Sequence, residues 1–226
     1  MPAFRPVVTE FYPGGVVSGP ALGHQPLAVG VIGDFQPFFP GDRAAGQPSQ
    51  LPMDSQALIV TLQMEASACA RLSALRREHF PPDRNWLDAH ITLFHALPAA
   101  SIDVVLRDTA EVAASTPAFT LSVDRVLFLG AGVAYAMSST RATGVRSALA
   151  QRWLGLLGPQ DRNQRGPLHV TVQNKVLPST ARRLHTELEQ GFSPYEIGAT
   201  GLQVWYYMGG PWKHAGTFSF RDDSMN

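Results

Sequence analysis

The sequence predicts an α+β fold made of two similar lobes, and three observations support this. The segment HITL at 90–93 returns 79 residues later as HVTV at 169–172. From residue 57 onward, each half of the chain reads in the order strand, helix, motif strand, helix, strand. The first strand begins 32 residues before the motif histidine in one half and 36 residues before it in the other. We therefore expect an internal duplication whose two pseudo-equivalent lobes face each other across a cleft.

Hydrophobic patterning predicts each element in turn. In the first half it predicts a strand over 58–64, a helix that carries Cys69, Leu72 and Leu75 and stops at Pro81, a motif strand over 89–97, a helix over 101–115 and a strand over 119–129. After a turn at 130–132, the second half is predicted to contain a strand over 133–138, a helix over 143–157, a motif strand over 167–176, a helix over 178–191 and strands over 199–208 and 215–220. Cys69 is expected to face the core.

Residues 1–56 differ from the rest of the chain. They hold nine of the 18 prolines and eight of the 20 glycines but only six charged side chains, which predicts an irregular extension. We hypothesise that Met53, just before the first strong strand, is an alternative start. The folded domain is expected over 57–226, with lobe one at about 57–128 and lobe two at about 133–220.

Composition excludes several classes of protein. With 45% apolar and 16% charged residues, the 226-residue chain is typical of a globular protein, and no run approaches the ~18 apolar residues of a membrane span. The N-terminus lacks the pattern of a secretory signal, and the single cysteine cannot form an internal disulfide, so we expect a cytoplasmic location. No HExxH or paired-cysteine spacing occurs, so neither a metal nor another cofactor is predicted.

Charge is unevenly distributed although the formal net charge is zero. Between residues 139 and 185 there are eight Arg or Lys side chains against one acid, Asp161. Such a stretch attracts anions, and Arg141 is a candidate for binding one. The alternative interpretation is that these arginines are solvated helix faces.

The repeated motif indicates acid–base chemistry. On a strand, alternate residues share a face, so His90 and Thr92 point one way, as do His169 and Thr171. With an ordinary pKa near 6.5, one imidazole is expected to be neutral and the other protonated near neutral pH, as general base and general acid require together. Such a pair suits in-line displacement at phosphorus without a metal, because threonine hydroxyls can donate to the nonbridging oxygens.

Neighbouring residues are weaker candidates for substrate contact. By strict alternation Phe94 shares the face of His90, where it either stacks on a base or packs in the core, whereas His95 points the opposite way. Gln173 and Lys175 share the face of His169, although Lys175 is equally expected to reach solvent. His214, beside Trp212, borders the expected cleft.

The paired His-x-Thr motifs, their spacing and the duplicated order resemble the 2H phosphoesterase superfamily, in its 2′-5′ RNA ligase-like (LigT-like) branch. The resemblance covers residues 57 to 220. It implies two antiparallel sheets flanked by helices around a central cleft, and metal-independent hydrolysis of cyclic phosphates or 2′-5′ linkages, with ligation as the reverse reaction in some members. His90, Thr92, His169 and Thr171 match the four signature residues.

Two functions follow as hypotheses. The first is a phosphodiesterase that acts on a 2′,3′-cyclic phosphate or a 2′-5′ linkage at an RNA end or in a small nucleotide, with His90 and His169 as the acid–base pair. The second is a module that binds nucleotides or RNA ends with little turnover. In either case we expect a monomer that does not associate with membranes.

Overall fold

A computed structural model describes residues 57–164 and 166–222. It contains seven strands, β1 (Ala57–Met64), β2 (Ile91–Pro98), β3 (Phe119–Phe128), β4 (Val133–Ser138), β5 (Leu168–Gln173), β6 (Tyr195–Tyr207) and β7 (Trp212–Ser219). The α-helices are α1 (Ala66–His79), α2 (Ile102–Ser115), α3 (Thr140–Arg152), α4 (Pro159–Arg162) and α5 (Pro178–Gln190). The irregular extension predicted over 1–56 and the hypothesis about Met53 concern residues outside the described ranges.

The helices and strands agree with the predicted patterns, with shifts at their ends. The helix expected over 143–157 is α3, which begins at Thr140 because the Ser139 side chain accepts a hydrogen bond from the Ala142 backbone N–H and caps it. The loop that follows contains the short helix α4, which was not predicted. None of the described helices has the length and apolar character of a membrane span.

All seven strands belong to one antiparallel sheet, whereas two sheets were expected. The long strand β6 joins what would otherwise be two separate groups of strands. Its first half, from Tyr195 to Ala199, pairs with β3, and its second half pairs with β1 on one side and with β7 on the other. Thirteen residues in extended conformation span about 40 Å, which is long enough to serve both halves.

The sheet does not follow the expected division of the chain into lobes. β3 was assigned to lobe one, but it pairs with β4, which in turn pairs with β5. β6 and β7 were assigned to lobe two, but β7 pairs with the part of β6 that borders β1. Strands from the two sequence halves are therefore interleaved around β6.

The hydrophobic core lies between the sheet and the helices. The apolar stripe predicted on α3 is buried, since Val145 is 5% exposed and Leu149 and Trp153 are fully buried. The Trp153 indole donates a hydrogen bond of 2.9 Å to the buried carboxylate of Asp108 on α2, which fixes these two helices against each other. The core supports the inner face of the motif strands, so the outer face is left for chemistry.

Candidate active site

The two motif strands meet at the free edges of the sheet. Among the strands within 57–164 and 166–222, β2 pairs only with β1 and β5 pairs only with β4, so each has one edge without a partner from these strands. The two strands approach each other in space, and the charge of His169 acts on His90. The structure thus brings together the two histidines that the repeat predicted.

Both histidines are held in the same way. Nδ1 of His90 lies 2.8 Å from the carbonyl oxygen of Asp88, and Nδ1 of His169 lies 3.1 Å from the carbonyl oxygen of Pro167. A carbonyl oxygen only accepts, so Nδ1 carries the hydrogen in each ring and Nε2 is the nitrogen left for proton transfer. In each case the carbonyl belongs to the residue two positions earlier in the chain.

The pKa values of both histidines are lowered. Burial, followed by the positive charge of Arg76, lowers the pKa of His90 from 6.5 to about 4, although the Asp88 carbonyl opposes the shift. Burial also lowers the pKa of His169, against the effect of the Pro167 carbonyl. Both imidazoles are therefore neutral at pH 7 in the protein alone. The expectation that one of them is protonated there was wrong, because it used unperturbed pKa values.

An irregular stretch of β2 reverses the predicted orientations of Phe94 and His95. Along β1, Val60 pairs with Phe94 and the next residue, Thr61, pairs with Thr92, so β2 contains an extra residue between these pairs. Such a bulge interrupts the alternation of a strand. As a result Phe94 is fully buried in the core, with its ring centroid 5.0 Å from that of Trp153, and it cannot stack on a base.

His95 consequently lies on the same face as His90 and Thr92. Its charge lowers the pKa of both His90 and His169, which places it near both rings. The prediction that His95 points away from the motif histidines was wrong, because the bulge depends on pairing with β1 and leaves no mark in the alternation of the sequence.

Asp161 of α4 holds His95 in place. Its carboxylate is buried and accepts hydrogen bonds from the backbone N–H groups of His95 and Ala96, and Oδ1 lies 3.0 Å from Nδ1 of His95. Burial raises the pKa of Asp161, but these hydrogen bonds and the His95 charge outweigh it, so the pKa stays below its usual value. The Asp161 carboxylate therefore covers part of the free edge of β2.

Two buried or partly buried arginines link each half of the site to the other. Arg76 on α1 donates to the carbonyl oxygen of Thr171 at 2.6 Å, and Arg146 on α3 donates to the carbonyl oxygen of Leu93 at 3.2 Å. Each arginine thus extends from a helix that precedes one motif strand in the sequence to the backbone of the other motif. Burial lowers the pKa of Arg76 to about 10, against the charge of Asp88, so it remains charged at neutral pH.

A row of aromatic rings lies beside His90. The His90 ring centroid is 4.6 Å from that of Trp212, which is 6.2 Å from Trp205, and Trp205 is 5.2 Å from His214. His214 is exposed. Two tryptophan rings lie between its ring and that of His90 in this row. Trp86 is 57% exposed, and its ring lies over the turn between β6 and β7. The ring is so close to the turn that a Cβ atom added to Gly210 would lie 1.8 Å from it.

The remaining predicted residues differ in their exposure. Gln173 is only 5% exposed, and its Oε1 has no hydrogen-bond partner within the described ranges. Lys175 is exposed beyond the end of β5, with a positive φ of 58°. Arg141 is exposed on the first turn of α3 and borders a surface depression formed with residues 118–120 and 139–140, which contains neither motif.

Sequence reasoning missed Arg76, Arg146 and Asp161. Asp161 carried a signal, because it is the single acid in the basic stretch from 139 to 185. No such signal distinguishes Arg76, since Arg71 and Arg77 are arginines of the same helix. Over 57–164 and 166–222, no three His, Cys, Asp or Glu side chains are grouped so as to hold a metal ion.

Comparison with known proteins identifies the family. A model of the 2′-5′ RNA ligase superfamily matches residues 64–211, which is more than half of the chain and includes both motifs. No curated protein matches this sequence.

Solved structures share the fold. TT0787 of Thermus thermophilus is 14% identical with a TM-score of 0.55, over 74% of this chain and 99% of that chain. A structure described as a phosphoesterase is 15% identical with a TM-score of 0.51, over 73% and 98% of the two chains. LigT of E. coli, crystallised with NADP+, is 15% identical with a TM-score of 0.50, over the same shares of 73% and 98%. The family match and the shared fold confirm the resemblance to 2H phosphoesterases of the LigT-like branch, and the chain therefore belongs to the 2′-5′ RNA ligase superfamily, whose members are phosphoesterases and ligases.

Proposed function

We propose that this protein is a metal-independent phosphodiesterase that acts on a 2′,3′-cyclic phosphate or a 2′-5′ linkage, at an RNA end or in a small nucleotide. The observation that carries the proposal is the matched pair of imidazoles on two adjoining strand edges. Each ring donates from Nδ1 to a backbone carbonyl, which leaves Nε2 of each for proton transfer.

We assign the roles of the two rings from their environments. His90 has its pKa lowered to about 4 and is near the charge of Arg76, so it is the ring held most firmly in the neutral form that a base requires. His169 is then the acid, and it takes up its proton when the negative charge of a phosphate raises its pKa.

Hydrolysis of a cyclic phosphate then proceeds in one displacement. Nε2 of His90 takes a proton from a water molecule as the water oxygen forms a bond to phosphorus. The bond from phosphorus to the departing ribose oxygen breaks, and Nε2–H of His169 gives its proton to that oxygen. Thr92 and Thr171, on the same faces as the histidines, donate to the nonbridging oxygens as negative charge develops on them.

The surroundings of the site favour a nucleotide substrate. Trp212 provides aromatic surface next to His90, and Trp86 is an exposed ring over the turn that leads into Trp212. Aromatic rings stack on nucleobases of any sequence. LigT of E. coli was crystallised with a dinucleotide, NADP+. Reverse 2′-5′ ligation uses the same two proton transfers. We expect the protein to act as a monomer in the cytoplasm and to need no cofactor.

A panel of 2′,3′-cyclic nucleotides, RNA ends with a cyclic phosphate and 2′-5′ dinucleotides tests the proposal, with products identified by phosphorus NMR. His90→Ala and His169→Ala are each expected to lower kcat by about 10²-fold or more, because each removes one proton transfer. His185→Ala on α5 is the control and should retain activity, as should the wild type with a chelator. Binding of nucleotides without any product would favour the binding module instead, and full activity of both motif variants would contradict the mechanism.

The pH profile provides a second test. In the free enzyme the base, His90, must be neutral, which requires a pH above its pKa of about 4. The acid, His169, must be protonated, which requires a pH below its own pKa, and that pKa is lower than 6.5. The expected profile of kcat/KM is a bell whose maximum lies between these values, on the acid side of neutrality. A maximum on the alkaline side of neutrality would contradict the assignment.

A further inference from the structure

We propose that His95 is a third histidine of the site and that its Nε2 binds a phosphate oxygen of the substrate. This inference rests on the proposed function, because it assumes a phosphate between His90 and His169. It assigns a role to a residue outside the two repeated motifs.

The first step is the position of His95. The bulge in β2 turns Phe94 into the core and His95 outward, onto the face that carries His90 and Thr92. β-Bulges are common beside active sites, where they redirect a side chain. The His95 side chain is 16% exposed, so its ring is neither sealed in the core nor free in solvent.

The second step is the orientation of the ring. Nδ1 of His95 lies 3.0 Å from Oδ1 of Asp161, and a carboxylate only accepts, so Nδ1 carries a hydrogen. Asp161 is itself fixed by two backbone N–H groups, and its side chain is 1% exposed. The ring is therefore held on one side, and Nε2 is the nitrogen directed away from Asp161.

The third step is the chemistry that such a pair supports. A carboxylate that accepts from Nδ1 fixes the ring in one orientation, and an imidazole with hydrogens on both nitrogens donates a charge-assisted hydrogen bond from Nε2 to an anionic oxygen. His95 acts electrostatically on both His90 and His169, so an anion bound between those two rings lies within the field of His95. This donor would supplement the threonine hydroxyls, which carry no charge.

A purely structural role is the competing explanation. Asp161 holds α4 against the edge of β2 through the backbone of His95 and Ala96, and the ring of His95 would then serve only as one more donor to that carboxylate. The two roles use different nitrogens, since the structural role needs only Nδ1 and phosphate binding needs Nε2. Variants with an amide side chain at position 95 distinguish the two roles.

His95→Asn and His95→Gln form the matched pair of variants. The asparagine nitrogen replaces Nδ1 and retains the donor to Asp161, but it leaves nothing in the place of Nε2, whereas the glutamine amide extends to that place. We expect His95→Asn to keep its melting temperature within about 2 °C of the wild type and to raise KM for the cyclic phosphate and Kd for inorganic phosphate about tenfold or more. His95→Gln is expected to recover part of this loss. Unchanged KM and Kd in a folded His95→Asn protein would overturn the proposal.

Nitrogen NMR of the histidine rings tests the proposal in the wild type, without dependence on how a variant folds. Titration with inorganic phosphate is expected to shift the Nε2 signal of His95 together with those of His90 and His169. Shifts at His90 and His169 with none at His95 would overturn this proposal and leave the proposed function intact. Absence of turnover across the substrate panel, with no shift at any of the three rings, would overturn both.

Discussion

Replacement of Arg76 tests whether a residue far from the motifs in sequence holds them together. Arg76 is 4% exposed and donates three hydrogen bonds, to the carbonyl oxygens of Leu87 at 3.2 Å and Thr171 at 2.6 Å and to Oδ1 of Asn85 at 3.1 Å. Leu87 and Asn85 precede the first motif, and Thr171 belongs to the second. Arg76→Met keeps the stem of the side chain next to Phe80 and removes all three bonds.

The expected loss of stability is the difference of two effects. Hydrogen bonds from a charged group contribute roughly 1.5–3 kcal/mol each, so the three together contribute about 4.5–9 kcal/mol. Burial of the charge offsets ~3 kcal/mol of this, because it lowers the pKa of Arg76 from 12.5 to about 10. The free energy of unfolding should therefore fall by about 1.5–6 kcal/mol, and the melting temperature by about 3–24 °C for a domain of this size.

Arg77→Met is the matched control for this prediction. Arg77 is the next residue on α1, but its side chain is 63% exposed, and its ion pair with Asp88 is long at 3.8 Å. Exposed pairs of this kind contribute less than ~1 kcal/mol. Differential scanning calorimetry of the wild type and both variants should separate Arg76→Met clearly from the other two proteins.

Arg76→Met should also change the pH dependence of activity. The charge of Arg76 lowers the pKa of His90, so its removal raises that pKa. The acid limb of kcat/KM is therefore expected to move to higher pH in this variant and to stay in place in Arg77→Met. A melting temperature within about 2 °C of the wild type, together with an unmoved acid limb, would refute the reasoning.

Two further predictions concern stability. Unfolded His90 takes up a proton near pH 6.5 but folded His90 only near pH 4, so the free energy of unfolding should fall by ~3 kcal/mol as the pH drops through this window, and urea titrations should show a smaller fall in His90→Gln. Equal pH dependence in the two proteins would argue against the burial of this ring. Gly132→Ala should lose more than ~2 kcal/mol in the same assay, because its Cβ would lie 2.1 Å from the carbonyl oxygen of Gln173, whereas Gly144→Ala on open helix surface should gain up to ~1 kcal/mol. Comparable effects of the two alanines would be inconsistent with this packing.

The patterns that predicted the helices and strands are local, which is why most of them agree with the structure. Apolar residues recur at the period of the element they belong to, and proline, serine or glycine marks its ends. The predicted stripe on α3 is buried, and α5 runs over Pro178–Gln190 against an expected 178–191. The start of α3 was placed three residues late because Ser139 was not recognised as its cap.

Interactions between distant segments account for the differences. Phe94 and His95 were given the wrong faces because the bulge in β2 follows from its pairing with β1, a strand that lies on the other side of α1 in the sequence. The single sheet was not predicted, because nothing in β6 by itself indicates that it pairs with β3 along one part and with β1 and β7 along another.

The sequence by itself determined which residues are candidates for the chemistry, since two copies of a His-x-Thr strand place two imidazoles and two hydroxyls on strand faces wherever those strands lie. Only the tertiary structure decided the pKa values and the ring orientations of the histidines. The low pKa of His90 comes from burial and from Arg76 on α1, and the orientation of His95 comes from Asp161 on α4. A pKa and a ring orientation depend on which charges and hydrogen-bond partners surround a group in space, and these come from parts of the chain that its own sequence neighbourhood does not reveal.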